Sequence, residues 1–272
     1  MILVIADTHF GRTDRDNERV KERELIECLE SLRRSHEIDE LILLGDIFDS
    51  YIEYRTLVPK GFSRFLGTLG AWADAGITLR YFAGNHDPWH SGYFESEFGA
   101  VFVPDHEDRE IGGRIFRFIH GDGLIARGLY RHIKPVLRHP VPVALYKALL
   151  PGDAGLRLAA WVNERFSAKT TNMETVRMLR AYAFDTMASS GLEVFVAGHS
   201  HFAEHTVRGP HTYLNTGSWH YERTFALIDE DSIRLLRYDG GTVVEQAPES
   251  DPGDRATVTA ASEPVTKVSD SL

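Results

Sequence analysis

Ile2-Leu3-Val4-Ile5-Ala6 runs directly into Asp7-Thr8-His9, and the same change from an apolar run to polar residues recurs four more times along the chain. Leu41 to Leu44 ends at Gly45-Asp46, Ile77 to Ala83 at Gly84-Asn85-His86-Asp87, Ile115 to Ile119 at His120-Gly121-Asp122, and Val194 to Ala197 at Gly198-His199-Ser200-His201. All five runs are short and rich in β-branched and aromatic residues, which predicts buried strands. In open α/β sheets, ligands bind beyond the carboxyl ends of the strands. Five polar strand ends therefore predict one shared site.

Between the first strands, Val20, Ile26, Leu29 and Leu32 keep helical spacing, as do Phe62, Phe65, Leu66, Leu69 and Trp72, which predicts helices with these residues facing the core. Thr212 to Leu214, Phe225 to Ile228 and Ile233 to Tyr238 predict further strands. The last two are joined through Asp229-Glu230-Asp231-Ser232, a hairpin turn by composition, and these strands suggest a second, partly antiparallel sheet. The boundaries read as a catalytic body over 1–244, a helical insertion at about 124–182 and a solvated acidic tail over 245–272, where no aromatic residue occurs.

The 272 residues are 43% apolar, enough for a substantial core, and their net charge of −10 speaks against a general nucleic-acid-binding surface. The insertion departs from that balance: it has ten Lys and Arg against three acidic residues, so it carries +7 while the rest of the chain carries −17. Its apolar residues, among them Leu145, Leu149, Leu158 and Trp161, make it an amphipathic lid or interfacial segment. The plainer alternative is a helical subdomain whose stripe packs on the body. Cys28 is the only cysteine, so no disulfide framework exists, and a small buried apolar group is its expected role. The opening apolar run is too short for a signal peptide, and no run reaches the roughly 18 residues of a membrane span. A cytoplasmic location, peripheral on the inner membrane face, is the expectation.

Asp7, His9, Asp46, Asn85, His120, His199 and His201 all fall at apolar strand ends, where polar groups are costly to bury without compensation. Four imidazoles, two carboxylates and one amide, with no thiolate, suit Mn²⁺, Fe²⁺ or Zn²⁺. Seven donors exceed the need of one ion. Two ions about 3.5 to 4 Å apart with a shared carboxylate satisfy them, and the residual positive charge favours an anionic phosphoester.

Asp7-x-His9, Gly45-Asp46-x-x-Asp49, Gly84-Asn85-His86-Asp87, His120-Gly121 and Gly198-His199-x-His201, in this order, resemble the five signatures of the calcineurin-like metallophosphoesterase superfamily. The resemblance spans Ile2 to about Tyr238 and implies an α/β, four-layer fold of two packed mixed sheets flanked by helices. It further implies that Asp7, His9, Asp46 and His201 hold one ion and Asp46, Asn85, His120 and His199 the other, with Asp46 bridging. Manganese is the expected metal. The resemblance also implies in-line attack on phosphorus by a hydroxide bridging the ions, with His86 stabilising the transferring phosphoryl group or protonating the leaving oxygen. Asp49 is a candidate to orient His86 or a metal-binding imidazole. Asp87 is a candidate for the same role, or for a turn or helix cap.

Within the superfamily, Gly45 to Tyr51, His120 to Leu124 with the insertion after it, and Gly217-Ser218-Trp219-His220 are similar to the UDP-2,3-diacylglucosamine pyrophosphatases of lipid A synthesis. His86 departs from the Arg of the best-known branch of those enzymes. That similarity implies cleavage of UDP-2,3-diacylglucosamine to UMP and the lipid 1-phosphate, with the insertion touching an anionic membrane surface. Substrate contacts are sought at Arg55, Lys169, Thr170, Asn172 and His220. A surface ion pair is the alternative for Arg55, and a helix cap for Asn172. A soluble phosphodiesterase or nuclease using the same site is the competing reading, disfavoured by the acidic body.

Overall fold

The computed structural model describes residues 1–124, 130–166 and 172–250. Its strands are β1 (Ile2–Ile5), β2 (Glu40–Leu43), β3 (Thr78–Phe82), β4 (Val101–Val103), β5 (His106–Ile111), β6 (Arg114–Ile119), β7 (Val194–Ala197), β8 (Ala203–Arg208), β9 (His211–Thr216), β10 (Thr224–Ile228), β11 (Ile233–Asp239), β12 (Thr242–Gln246) and β13 (Glu249–Ser250). They form two mixed sheets, ordered β12-β11-β10-β1-β2-β3-β4 and β13-β8-β9-β7-β6-β5. The helices are α1 (Arg15–Ser35), α2 (Ser63–Asp74), α3 (Tyr93–Phe98), α4 (Tyr130–Arg138), α5 (Pro140–Leu149), α6 (Gly152–Phe166), α7 (Met173–Ser189) and α8 (Trp219–Glu222).

Strand alternation builds the layers. From β1 and β2, Leu3, Ile5, Leu41 and Leu43 pack with Leu25, Leu29, Phe65 and Trp72 of α1 and α2. The alternate residues Val4, Ala6, Ile42 and Leu44 meet Phe116, Phe118, Val194 and Val196 of the other sheet. On its far face, that sheet packs Ile119, Phe195 and Ala197 against Leu179, Ala183 and Met187 of α7. Helix, sheet, sheet, helix is the four-layer α/β arrangement expected from the sequence. Central strands covered on both faces read as unbroken apolar runs for this reason.

Four expectations are corrected. Val20 is 38% exposed; the buried face of α1 is Leu25, Cys28, Leu29 and Leu32, together with Glu18, Lys21 and Glu22. Strands β10 and β11 form the expected hairpin but extend the first sheet, with β10 antiparallel to β1, because Ala226 and Ile228 belong between the sheets. The tail does not start at 245: β12 continues to Gln246, and β13 pairs with β8; residues 251–272 lie outside the described residues. The insertion ends before 182, since Val176 and Leu179 of α7 are already buried in the body.

Helices α4, α5 and α6 form the insertion proper. Its ties to the body are polar and aromatic. The Trp89 indole donates to Leu137 O (2.6 Å) and stands edge-on to Tyr146, Tyr54 Oη donates to Leu150 O (3.1 Å), and Lys147 Nζ donates to Ser91 Oγ (2.7 Å).

Candidate metal centre

Beyond the strand ends, the first two loops continue side by side: Asp7, His9 and Phe10 donate their backbone N–H groups to the carbonyls of Gly45, Asp46 and Ile47. Asp87, fully buried, fixes the third loop against them. Its carboxylate accepts from the backbone of Asp46, Ile47, Phe48 and Gly84 and from the Tyr81 hydroxyl (2.6 Å). A loop-binding role, one of the two expected for it, is thereby realised. The glycines admit the neighbouring side chains: a Cβ on Gly84 would lie 2.1 Å from Asp46 Oδ1, and one on Gly45 would lie 2.5 Å from the His120 ring.

This framework brings Asp7, His9, Asp46 and His201 together as one group able to hold a metal ion, and Asp46, His120 and His199 as a second. Asp46 belongs to both. His201 Nε2 lies 3.0 Å from His9 Nε2 and 3.1 Å from Asp7 Oδ1, while His120 Nε2 lies 3.3 Å from Asp46 Oδ2. Asp7 Oδ1, Asn85 Oδ1 and His120 Nε2 are buried without a hydrogen-bond partner, a costly condition that coordination relieves. Five of these residues, Asp7, His9, Asp46, His199 and His201, have left-handed backbone φ between 44° and 64°. Such strain persists where the surrounding structure enforces it, and it clusters at functional sites. The thiolate-free donor set and its orphaned atoms fit a pair of divalent ions.

Electrostatics point the same way. Burial opposes charge on Asp7, His9, Asp46 and His120, yet at these four the mutual field prevails. His201 beside Asp7 and His120 beside Asp46 hold both carboxyls below the usual range. Against the cost of burial, contacts with Asp49 and Asp7 raise His9 to about 9, and the field of Asp46 raises His120 to about 10. The cluster therefore attracts positive charge. Burial, then the charge of His120, lowers His199 to about 4.

Around this cluster, Asp49 Oδ1 lies 3.2 Å from His9 Nδ1, and His86 Nδ1 lies 2.9 Å from the Asp49 carbonyl. His220 is half-buried and edge-on to His9. The other substrate candidates fare differently. Asn172 is the N-cap of α7, its side chain accepting from Glu174 N, which is the helix-cap alternative expected for it. Arg55 is exposed, on the loop that Tyr54 ties to Leu150; Lys169 and Thr170 lie outside the described residues.

Four contributors carried no signal in the sequence. Asn163 of α6 donates to Asp49 O (2.6 Å), so the insertion reaches the carbonyl that also holds His86. Arg138 and Lys134 of α4 converge on the buried Asp122 carboxylate, and Arg138 also donates to Gly84 O (3.2 Å). Lys21 of α1 is buried beneath His9 and His220. Each is one basic or amide side chain among many, distinguished only by where the chain folds.

A profile of the calcineurin-like phosphoesterase family matches residues 1–203. A UDP-2,3-diacylglucosamine hydrolase of Porphyromonas gingivalis is 28% identical over 258 residues, covering 86% of this chain and 96% of that protein. A protein of the same name from Yersinia pestis is 24% identical over 214 residues, covering 76% and 88%. Among solved structures, a phosphoesterase from E. coli covers 91% of this chain and 99% of its own at 15% identity, with a TM-score of 0.46.

Proposed function

Because the chain belongs to the calcineurin-like phosphoesterase family and is a metal-dependent phosphoesterase, we propose that it hydrolyses the pyrophosphate bond of UDP-2,3-diacylglucosamine, releasing UMP and 2,3-diacylglucosamine 1-phosphate. Two divalent ions, Mn²⁺ by preference over Fe²⁺ or Zn²⁺, would be held by Asp7, His9, Asp46 and His201 and by Asp46, Asn85, His120 and His199. The observation that carries the chemistry is the pair of side-chain groups meeting at Asp46. When bound, the ions supply Lewis-acid stabilisation of the phosphoryl oxygens and a water activated for in-line attack.

The chain's own residues complete the machinery. Asp49 orients two imidazoles at once: its carboxylate faces His9 Nδ1 and its carbonyl accepts the Nδ1–H of His86. His86 is thereby oriented to act on the leaving oxygen or the transferring phosphoryl group. Asp87 keeps the loops carrying Asp46 and Asn85 in register. His220 contacts a substrate phosphate at the rim, and Arg55, with Lys169 and Thr170, is a further candidate for the nucleotide-sugar headgroup.

Support for a lipid substrate comes from the relatives' names and from the insertion, where Leu145, Leu149 and Trp161 are 58%, 71% and 58% exposed beside the basic Lys147 and Arg157. Such a surface suits acyl chains and an anionic membrane face. No helix among the described residues is long and apolar enough to cross a membrane. The test is UMP release from UDP-2,3-diacylglucosamine with Mn²⁺ and detergent, abolished by Asp46→Ala or His120→Ala. No UMP from the wild type overturns the substrate assignment; salt-sensitive cleavage of single-stranded DNA in its place favours a nuclease.

A further inference from the structure

Lys21 sits on α1, outside all five motifs, yet is 2% exposed. Its ammonium has three hydrogens and three acceptors: His9 O at 2.8 Å, Glu18 Oε1 at 2.9 Å and His220 Nδ1 at 3.0 Å. An ammonium only donates, so His220 Nδ1 must accept, and the proton of its neutral ring sits on Nε2. A doubly protonated ring would set N–H against N–H at that distance. Glu18 holds the arrangement in place, accepting from the backbone of Gly11 and Thr13 and from the Thr13 hydroxyl besides Lys21. The imidazole is also anchored through its main chain, His220 N donating to Asp7 O (3.1 Å). Its ring stands edge-on to His9, with centroids 6.2 Å apart.

We propose that Lys21 is a positioning residue that locks His220 in the Nε2–H tautomer, so that His220 presents a fixed N–H donor to a phosphate oxygen of the substrate beside His9. This rests on the reading of the site as a phosphoester hydrolase. All three hydrogens of Lys21 are committed to protein atoms, so its charge does not meet substrate; it acts through the ring. A ring free to change tautomer would spend part of its time offering a lone pair to an anion, which weakens binding.

The test uses the full chain loaded with diamagnetic Zn²⁺ and labelled with ¹⁵N-histidine. Long-range proton–nitrogen correlation is expected to show His220 solely as the Nε2–H tautomer in the wild type, with the Nδ1–H form appearing in Lys21→Met and absent again in Lys21→Arg. Inorganic phosphate, titrated as probe, is expected to bind roughly five- to tenfold more weakly to His220→Ala and to Lys21→Met, and no more weakly to the double variant. An Nδ1–H ring in the wild type, phosphate affinity unchanged by His220→Ala, or additive losses overturn the proposal. The wild-type tautomer decides even if Lys21→Met fails to fold. Neither readout involves the nucleotide-linked lipid, so a wrong substrate assignment leaves both standing.

Discussion

His9 Nε2 and His201 Nε2 lie 3.0 Å apart, with Asp7 Oδ1 3.1 Å from the second. Three lone-pair-bearing atoms facing one another repel unless a cation or protons lie among them. The chain accepts this arrangement on left-handed backbone at Asp7, His9 and His201, so the loops spend conformational energy to aim these groups at one point.

Metal binding should therefore stabilise the fold. At a free metal concentration a hundredfold above Kd, each site contributes about 2.7 kcal/mol, or roughly 5 °C or more in Tm for a chain of this size. Thermal unfolding with Mn²⁺ and with EDTA measures the difference, and Asp46→Asn should remove most of it.

Gly84→Ala should be more damaging than an added methyl group suggests. Its Cβ would lie 2.1 Å from Asp46 Oδ1 and 2.3 Å from the Asp46 backbone nitrogen, so the loop must shift. A loss of about 2 kcal/mol or more in urea unfolding is expected, together with reduced metal content. Gly191→Ala, with open space around its Cβ position, is the control for both measurements.

The chelated protein should show a defined pH signature. His120 has its pKa raised to about 10, the field of Asp46 prevailing over burial. A raised imidazole contributes stability below its unfolded pKa near 6.5 and loses it as pH rises through the folded value. In EDTA, the gap in unfolding free energy between wild type and His120→Gln should be widest at pH 6.5 and close progressively toward pH 10. A gap that widens over that range contradicts the Asp46–His120 pairing.

Asn163→Ala should uncouple the insertion from the chemistry. The lost amide leaves Asp49 O with His86 and the Ser50 hydroxyl, and one hydrogen bond of about 1 to 1.5 kcal/mol corresponds to roughly a fivefold to tenfold fall in kcat. Metal content should not change, because among the described residues Asn163 is hydrogen-bonded to Asp49 and Ser50 and to none of the six clustered residues. Steady-state kinetics paired with metal analysis separates the two effects.

The layers and the six clustered residues were legible because they obey local rules. Strands β1 and β7 are apolar throughout and run into their polar residues at Ala6-Asp7 and Ala197-Gly198-His199. Sheet membership was not legible for Phe225 to Ile228: an apolar run does not say which sheet receives it, and pairing with β1 is a long-range event. Val20 misled for a related reason, its helical spacing fitting a face that the fold turns to solvent, while Lys21 takes the buried place beside it. Lys21, Asn163 and Arg138 gain their roles from partners 199, 114 and 54 residues away, a separation that no local pattern encodes. Asn172 shows the converse, a polar residue in a suggestive position whose side chain serves the end of its own helix.

Metal content per chain, measured on protein expressed with excess manganese and freed of loosely bound ions, bears most directly on the shared centre at Asp46. Two equivalents in the wild type and one or none in Asp46→Ala are expected, since both groups lose a member with that carboxylate. A metal-free wild type, or a variant that keeps both equivalents, contradicts it.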